Sequence, residues 1–97
     1  MEIGLTIKHF RKLKGIKQKE LATKAKISPS YLSQIENNSK DPNLSTIKAI
    51  SKSLEIPLPV LLFISLGDND IPKSKREGFN AIYPSIKLYI ESLFSSK

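Results

Sequence analysis

The 97-residue sequence predicts an all-α protein. Three observations lead there: apolar residues recur at spacings of three and four in successive stretches, helix-starting and helix-stopping residues fall between the stretches, and no alternating apolar and polar run of a half-buried strand appears.

The first helix is expected from Ile3 to near Lys14, because Ile3, Ile7, Phe10 and Leu13 succeed one another at four, three and three and share a face. Gly15 stops it. A two-turn second helix runs from about Lys17 to Ala25, with Leu21, Ala22 and Ala25 on its inner side. Ser28 is a good N-cap, and Pro29 suits the first helical position, where the missing N–H has no partner to lose. A third helix therefore starts there, buries Leu32 and Ile35, and ends in Asn37, Asn38 and Ser39, which tolerate left-handed or turn backbone.

After the loop through Lys40, Asp41 and Pro42, Asn43 can cap a fourth helix carrying Leu44, Ile47, Ile50 and Leu54, closed by Pro57. The run from Leu58 to Leu66 is apolar nearly all round apart from Ser65, so a fifth helix there needs cover on two sides, from the core and from a further surface such as a second subunit. Residues 67–74 (GDNDIPKS) read as a polar linker. Beyond them Phe79, Ile82, Ile86, Tyr89, Ile90 and Leu93 keep helical spacing, giving one or two C-terminal helices with a break expected near Pro84. The organisation is thus a five-helix unit over 1–66, a linker over 67–74 and a helical extension over 75–97.

Composition narrows the function. Net charge is +7, and it is uneven: residues 1–56 carry eleven Lys/Arg against five Asp/Glu, while residues 57–97 carry five against four. The first segment has the electrostatic footprint of a polyanion binder. With no cysteine there are no disulfides, thiolate metal sites or thiol nucleophiles, and the lone His9 cannot build a metal site or a catalytic triad by itself. No carboxylate pair, nucleophile with its base, or glycine-rich phosphate loop stands out, so no enzyme, metal, cofactor or small-molecule ligand is expected. Neither a signal peptide nor a bilayer-spanning run is visible, so a cytoplasmic protein without membrane partners is expected. A lipid surface is a poor target for lysines spread over several packed helices.

Two short helices joined by Lys26, Ile27 and Ser28 suit a geometry in which the leading helix braces on the DNA backbone and the trailing one enters the major groove. At about 100° per residue, Leu32 and Ile35 set the inward direction of the trailing helix, and Ser30, Ser33, Gln34 and Asn37 cluster opposite. Hydroxyls and carboxamides match the mixed donors and acceptors of base edges, and a glutamine can bond adenine N6 and N7 together. Gln34 is the leading candidate for base reading.

The stretch QKELATKAKISPSYLSQIENNSKDPNLSTIKAISKSLEI resembles the lambda-repressor-like, or Xre, helix-turn-helix family. The Gln-x-x-Leu-Ala opening of the second helix, the Ser-x-x-Tyr-Leu-Ser-Gln-Ile-Glu third helix, the Pro42 loop and the Ile50 to Ile56 closing pattern occur in register, and the likeness covers residues 3–66.

The resemblance implies base contacts from Ser28, Pro29, Ser30 and Gln34, with Ser33 on the same face. Pro29 departs from the polar residue usual there and can offer only apolar contact, for example to a thymine methyl. It implies a contact from Gln18, at the start of the second helix, to backbone phosphate or to a base, where the dipole favours an anion, and Lys17 beside it is a further candidate for phosphate. Asn37, Asn38 and Lys40 would meet phosphates through backbone amides and a lysine, and Asn43 and Ser45 would do likewise, although capping alone explains Asn43. Tyr31 is either a core-flanking aromatic or a phosphate contact. Arg11 and Glu36 match the family's internal ion pair. Lys26 and Glu55 stand where the family usually has glycine, so left-handed backbone at either carries strain of about 1 kcal/mol.

The function implied is that of a sequence-specific regulator of transcription, a repressor, binding double-stranded DNA as a homodimer on an inverted repeat. One short helix reads too few base pairs for genomic selectivity, and two half-sites double the information. The dimer interface is expected at Leu58, Leu62, Phe63, Ile82, Ile86, Tyr89, Ile90 and Leu93, although the same C-terminal stripe could instead cap the monomer core. A phage repressor, an antitoxin or a restriction-system controller would share this chemistry; an adaptor that binds protein through the same fold is the reading of another class.

Overall fold

A computed structural model describes residues 1–95, in which there are six α-helices and no strand: α1 (Ile3–Leu13), α2 (Gln18–Ala25), α3 (Pro29–Glu36), α4 (Leu44–Leu54), α5 (Leu58–Ile64) and α6 (Arg76–Phe94). Two 3-10 turns, Asp68–Asp70 and Lys73–Lys75, link α5 to α6. The last two residues of the expected extension, 96 and 97, lie outside the described residues.

The predicted stripes of the first five helices supply the core, except that Leu13 and Leu44 are exposed. Ile7 and Phe10 of α1, Leu21, Ala22 and Ala25 of α2, Leu32 and Ile35 of α3, Ile50 and Leu54 of α4, and Leu61 and Ile64 of α5 form one buried cluster with Ile16 and Ile56 from the turns. Burying one large apolar side chain contributes about 1.5–3 kcal/mol, and five short helices have no other source of cohesion on that scale.

The connections between helices depend on left-handed residues. Gly15 (φ 68°) ends α1 without steric strain, but Lys26 (φ 59°), Asn38 (φ 59°) and Glu55 (φ 57°) take the same conformation with a Cβ. The strain foreseen at Lys26 and Glu55 is therefore present at both. Lys14, seen in the sequence only as the end of a helix, is buried and donates its ammonium to the carbonyl oxygen of Leu54, the last residue of α4. That places a cation at a helix C-terminus whose orphan carbonyls and negative dipole end favour it. Gly4 has a spatial role: a Cβ there would lie 1.9 Å from the Ile35 carbonyl oxygen, so α1 and α3 approach more closely than any other residue permits.

The break expected near Pro84 does not occur. α6 runs unbroken through it. Proline removes one intrahelical bond and crowds the carbonyl four residues back, but Asn80 and Pro84 are both exposed, so water can serve the freed carbonyl. Contacts on both sides of the proline hold the helix in place. Before it, Phe79 and Tyr83 pack with Phe63 of α5 at ring separations of 6.1 and 5.7 Å; after it, Ile90 and Phe94 pack on the core. Tyr83 donates its hydroxyl proton to the Ile64 carbonyl oxygen, and His9 Nε2 lies 3.3 Å from Glu91 Oε1. Desolvation, and secondarily the Glu91 carboxylate, push the Tyr83 phenol above its usual value, so it remains a neutral donor.

Phe63 and Ile90, both placed in the expected dimer surface, are half-buried within the protomer, because an apolar arc broader than one stripe lets α6 dock on its own chain with one part of it. The linker is also more ordered than its composition suggests. Asp70 accepts the Gly67 N–H at 2.8 Å and lies 3.0 Å from the Met1 amino group, which together hold its carboxyl below the ordinary value, and Arg76 Nε donates to the carbonyls of Asp68 and Ile71.

Candidate nucleic-acid interface

The corner between α2 and α3 is set by local chemistry. Left-handed Lys26 lets its own N–H and that of Ile27 reach back to the Thr23 and Ala22 carbonyls at 3.2 and 3.0 Å, closing α2. Ile27 packs against the core and fixes the corner, and the Ser28 hydroxyl accepts the Tyr31 N–H at 3.0 Å to open α3.

With Leu32 and Ile35 fully buried, α3 has one direction left to present. Pro29, Ser30, Gln34 and Asn37 are exposed, and Ser33 is half-buried. The only charge on the helix is Glu36, 1% exposed, and its carboxylate is bound on the inner side. Arg11 Nε meets Oε2 at 2.7 Å and Nη2 meets Oε1 at 2.9 Å, while Nη1 donates to the Ile16 carbonyl at 2.9 Å. Gln18 Nε2 is the third donor to this carboxylate, reaching Oε1 at 3.1 Å. The expected pair is thus a network joining α1, the α1–α2 turn, the start of α2 and the end of α3. Its chemical result is that the outer face of α3 carries no charge.

Around that face the expected backbone-contacting residues are disposed unequally. Lys17 is exposed at the N-cap of α2, and no side chain caps that helix, whereas Ser28 and Asn43 cap α3 and α4. The first amides of α2 are therefore open to an anion. Gln18 keeps its carbonyl oxygen and one amide hydrogen beyond the Glu36 bond. Asn43 Oδ1 accepts from the Thr46 N–H at 2.9 Å and from the Ser45 hydroxyl at 3.0 Å, so capping accounts for that oxygen. Tyr31 is half-buried with its ring against the core.

The end of α3 differs from expectation. The N–H groups of Asn37, Asn38, Ser39 and Lys40 all donate to carbonyls of residues 33–35, because left-handed Asn38 folds the chain back onto the helix end. Backbone amides there are not available to phosphates; the exposed side chains of Asn37 and Lys40 are. Asn38 Nδ2 is held by Glu2 Oε2 at 2.6 Å. Around α3, three features escaped the sequence reading: the Gln18–Glu36 bond, the Glu2–Asn38 bond and the close seat of Gly4. Only the last left a trace, an isolated glycine inside a helical pattern.

Among the described residues no group of three or more His, Cys, Asp or Glu gathers as a metal site, and no helix is long and apolar enough to cross a membrane.

Comparison with known proteins converges on the same segment. The family model described as helix-turn-helix matches residues 7–61, which run from α1 into α5. The chain is similar to the immunity repressor protein of Bacillus phage phi105, 33% identical over 81 residues that cover 84% of this chain and 54% of the relative. It is 41% identical over 61 residues to the HTH-type transcriptional regulator SinR of Bacillus subtilis, covering 62% of this chain and 55% of SinR. To the transcriptional regulator ClgR of Mycobacterium tuberculosis it is 33% identical over 60 residues, covering 62% and 54%. The chain therefore spans about half the length of the curated relatives it matches. No solved structure gives a significant match.

Proposed function

Because the chain belongs to the lambda-repressor-like helix-turn-helix family, we propose that it binds double-stranded DNA sequence-specifically and represses transcription as a homodimer on an inverted-repeat operator. The observation that carries this reading is the outer face of α3, lined with hydroxyl and carboxamide groups while its one acid is neutralised in the core. An exposed carboxylate there would repel the phosphates on both sides of the groove; Arg11 and burial remove that obstacle.

In the proposed complex α3 lies in the major groove. Gln34 forms the bidentate bond to adenine, Ser30 and Ser33 supply hydroxyls, and Pro29 meets a thymine methyl. Ser28 sits at the rim as cap. Lys17, Gln18 and the open amides of α2 hold one backbone strand, and Asn37, Lys40 and Ser45 hold the other. Such a function places the protein in the compartment that holds the DNA. The name of the phage relative, an immunity repressor, supports repression over activation.

Selection from random duplexes at two salt concentrations tests the proposal. The expected product is a palindrome with half-sites about one turn, ~34 Å, apart and an affinity that falls steeply with salt. Weak, salt-insensitive retention without a consensus would favour a protein-binding adaptor instead.

A further inference from the structure

Left-handed backbone that persists without glycine points to a use for the side chain it carries. Asn38 has one, since its amide holds Glu2. The other two such residues, Lys26 and Glu55, line a single cleft of about 520 Å³ between the C-terminal ends of α2 and α4. Lys24 and Lys26 stand on one wall and Lys52 and Glu55 on the other, and the small side chains of Ala25 and Ala49 leave the space between them. All four charged residues are exposed.

Nothing inside the protomer accounts for these cations. Lys24 lies 3.6 Å from Glu20 in an exposed pair of little worth, and Lys26 and Lys52 have no ion-pair partner among the described residues. The helix ends do not need them. The Ala22 and Thr23 carbonyls accept the N–H groups of Ile27 and Lys26, those of Ser51 and Lys52 accept from Ile56 and Glu55, and the Leu54 carbonyl takes the buried Lys14 ammonium. The proposed DNA docking does not use them either: no residue of α3 and none of the proposed DNA contacts lines the cleft. Along α4, Lys52 lies about 10 Å from Ser45, at the end proposed to meet phosphate. Glu55 is also misplaced for a duplex, whose phosphates are uniformly negative, whereas a peptide can set an N–H or a polar side chain against it.

We propose that this cleft docks an acidic segment of a partner protein, its carboxylates on Lys24, Lys26 and Lys52 and a hydrogen-bond donor on Glu55. Three lysines against one glutamate leave an excess of two positive charges for the segment to neutralise. Lysine ammoniums on flexible stems are point charges that meet carboxylates at varied angles. Exposed charge of this kind speeds encounter and rejects basic partners more than it tightens the complex, so the contact is a transient one. The left-handed turn at Lys26 thus gives up stability to keep a cation at the cleft. Because the cleft and the outer face of α3 share no residue, the partner is held while the chain stays on its operator. Simultaneous occupancy rests on the proposed DNA docking; the cleft itself does not.

The test uses the full chain. A library of displayed random peptides is panned on the wild type and counter-selected on Lys26→Gly/Lys52→Ala, which keeps every proposed DNA contact and so removes peptides that bind as duplex mimics. The surviving peptides are expected to share clustered Asp and Glu. A labelled peptide of that consensus is expected to bind the double variant about tenfold more weakly in fluorescence anisotropy, and Lys40→Ala as tightly as the wild type. Since Lys26→Gly relieves left-handed strain, the double variant is expected to melt no lower than the wild type, so unfolding cannot produce that loss. No acidic consensus, equal binding to wild type and double variant, or displacement of the peptide by a duplex that the chain retains overturns the inference. A peptide held by the cleft of a chain that selects no duplex supports it and overturns the DNA reading alone.

Discussion

Glu36 accepts two hydrogen bonds from Arg11 and one from Gln18, so the same carboxylate that closes the core also orients a candidate phosphate contact. Its removal strands a guanidinium that is 9% exposed. Glu36→Ala is expected to lower stability by about 3 kcal/mol or more, beyond any nearby surface change, and denaturant unfolding checks it; an unchanged melting temperature contradicts it. At Gly4 two effects oppose each other. Alanine favours a helix over glycine by about 1 kcal/mol, but the added methyl would overlap the Ile35 carbonyl, which is backbone and cannot rotate away. The clash wins, so Gly4→Ala is expected to unfold at lower temperature, and a gain in stability would show that α1 shifts freely. Lys26→Gly and Glu55→Gly should each raise stability by roughly 0.5–1 kcal/mol by relieving left-handed strain, measured in the same assay. Neither substitution touches the core.

At the scale of elements, the helices of the first 66 residues were legible because apolar spacing and caps act locally: Ser28 and Asn43 cap where the pattern placed them, and Gly15 stops α1. Tertiary endpoints were not. Nothing in the spacing of Lys14 and Leu54, forty residues apart, or of Gln18 and Glu36, announces a hydrogen bond, and Pro84 reads as a helix break unless the packing that holds both halves is known. The outward side of α3 was readable because burying Leu32 and Ile35 leaves one choice. The backbone at its C-terminal end was misread because left-handed Asn38 returns every amide to the helix. Readout and anchoring should separate accordingly. In quantitative binding to a set of duplexes, Gln34→Ala is expected to relax preference at one position per half-site, losing about 1–3 kcal/mol on the preferred base, while Lys40→Ala weakens all sequences alike and lowers the salt slope by about one. A uniform loss from Gln34→Ala would remove it from base reading.

The molecule as a whole divides its labour by charge. The helix-turn-helix portion carries most of the positive excess, while α6, nearly neutral, turns an uncharged face outward. The surface proposed to meet a polyanion and the uncharged face of α6 are thus separate. In the proposed function the uncharged hydrogen-bonding face of α3 enters a duplex. Amide chemical-shift mapping on addition of a selected operator duplex tests it most directly. Shifts are expected to concentrate on residues 17–18, 28–37, 40 and 45, with the outer face of α6 unmoved by DNA; shifts centred on α6, or a silent α3 under conditions where the duplex is bound, would rule out entry of α3 into the groove.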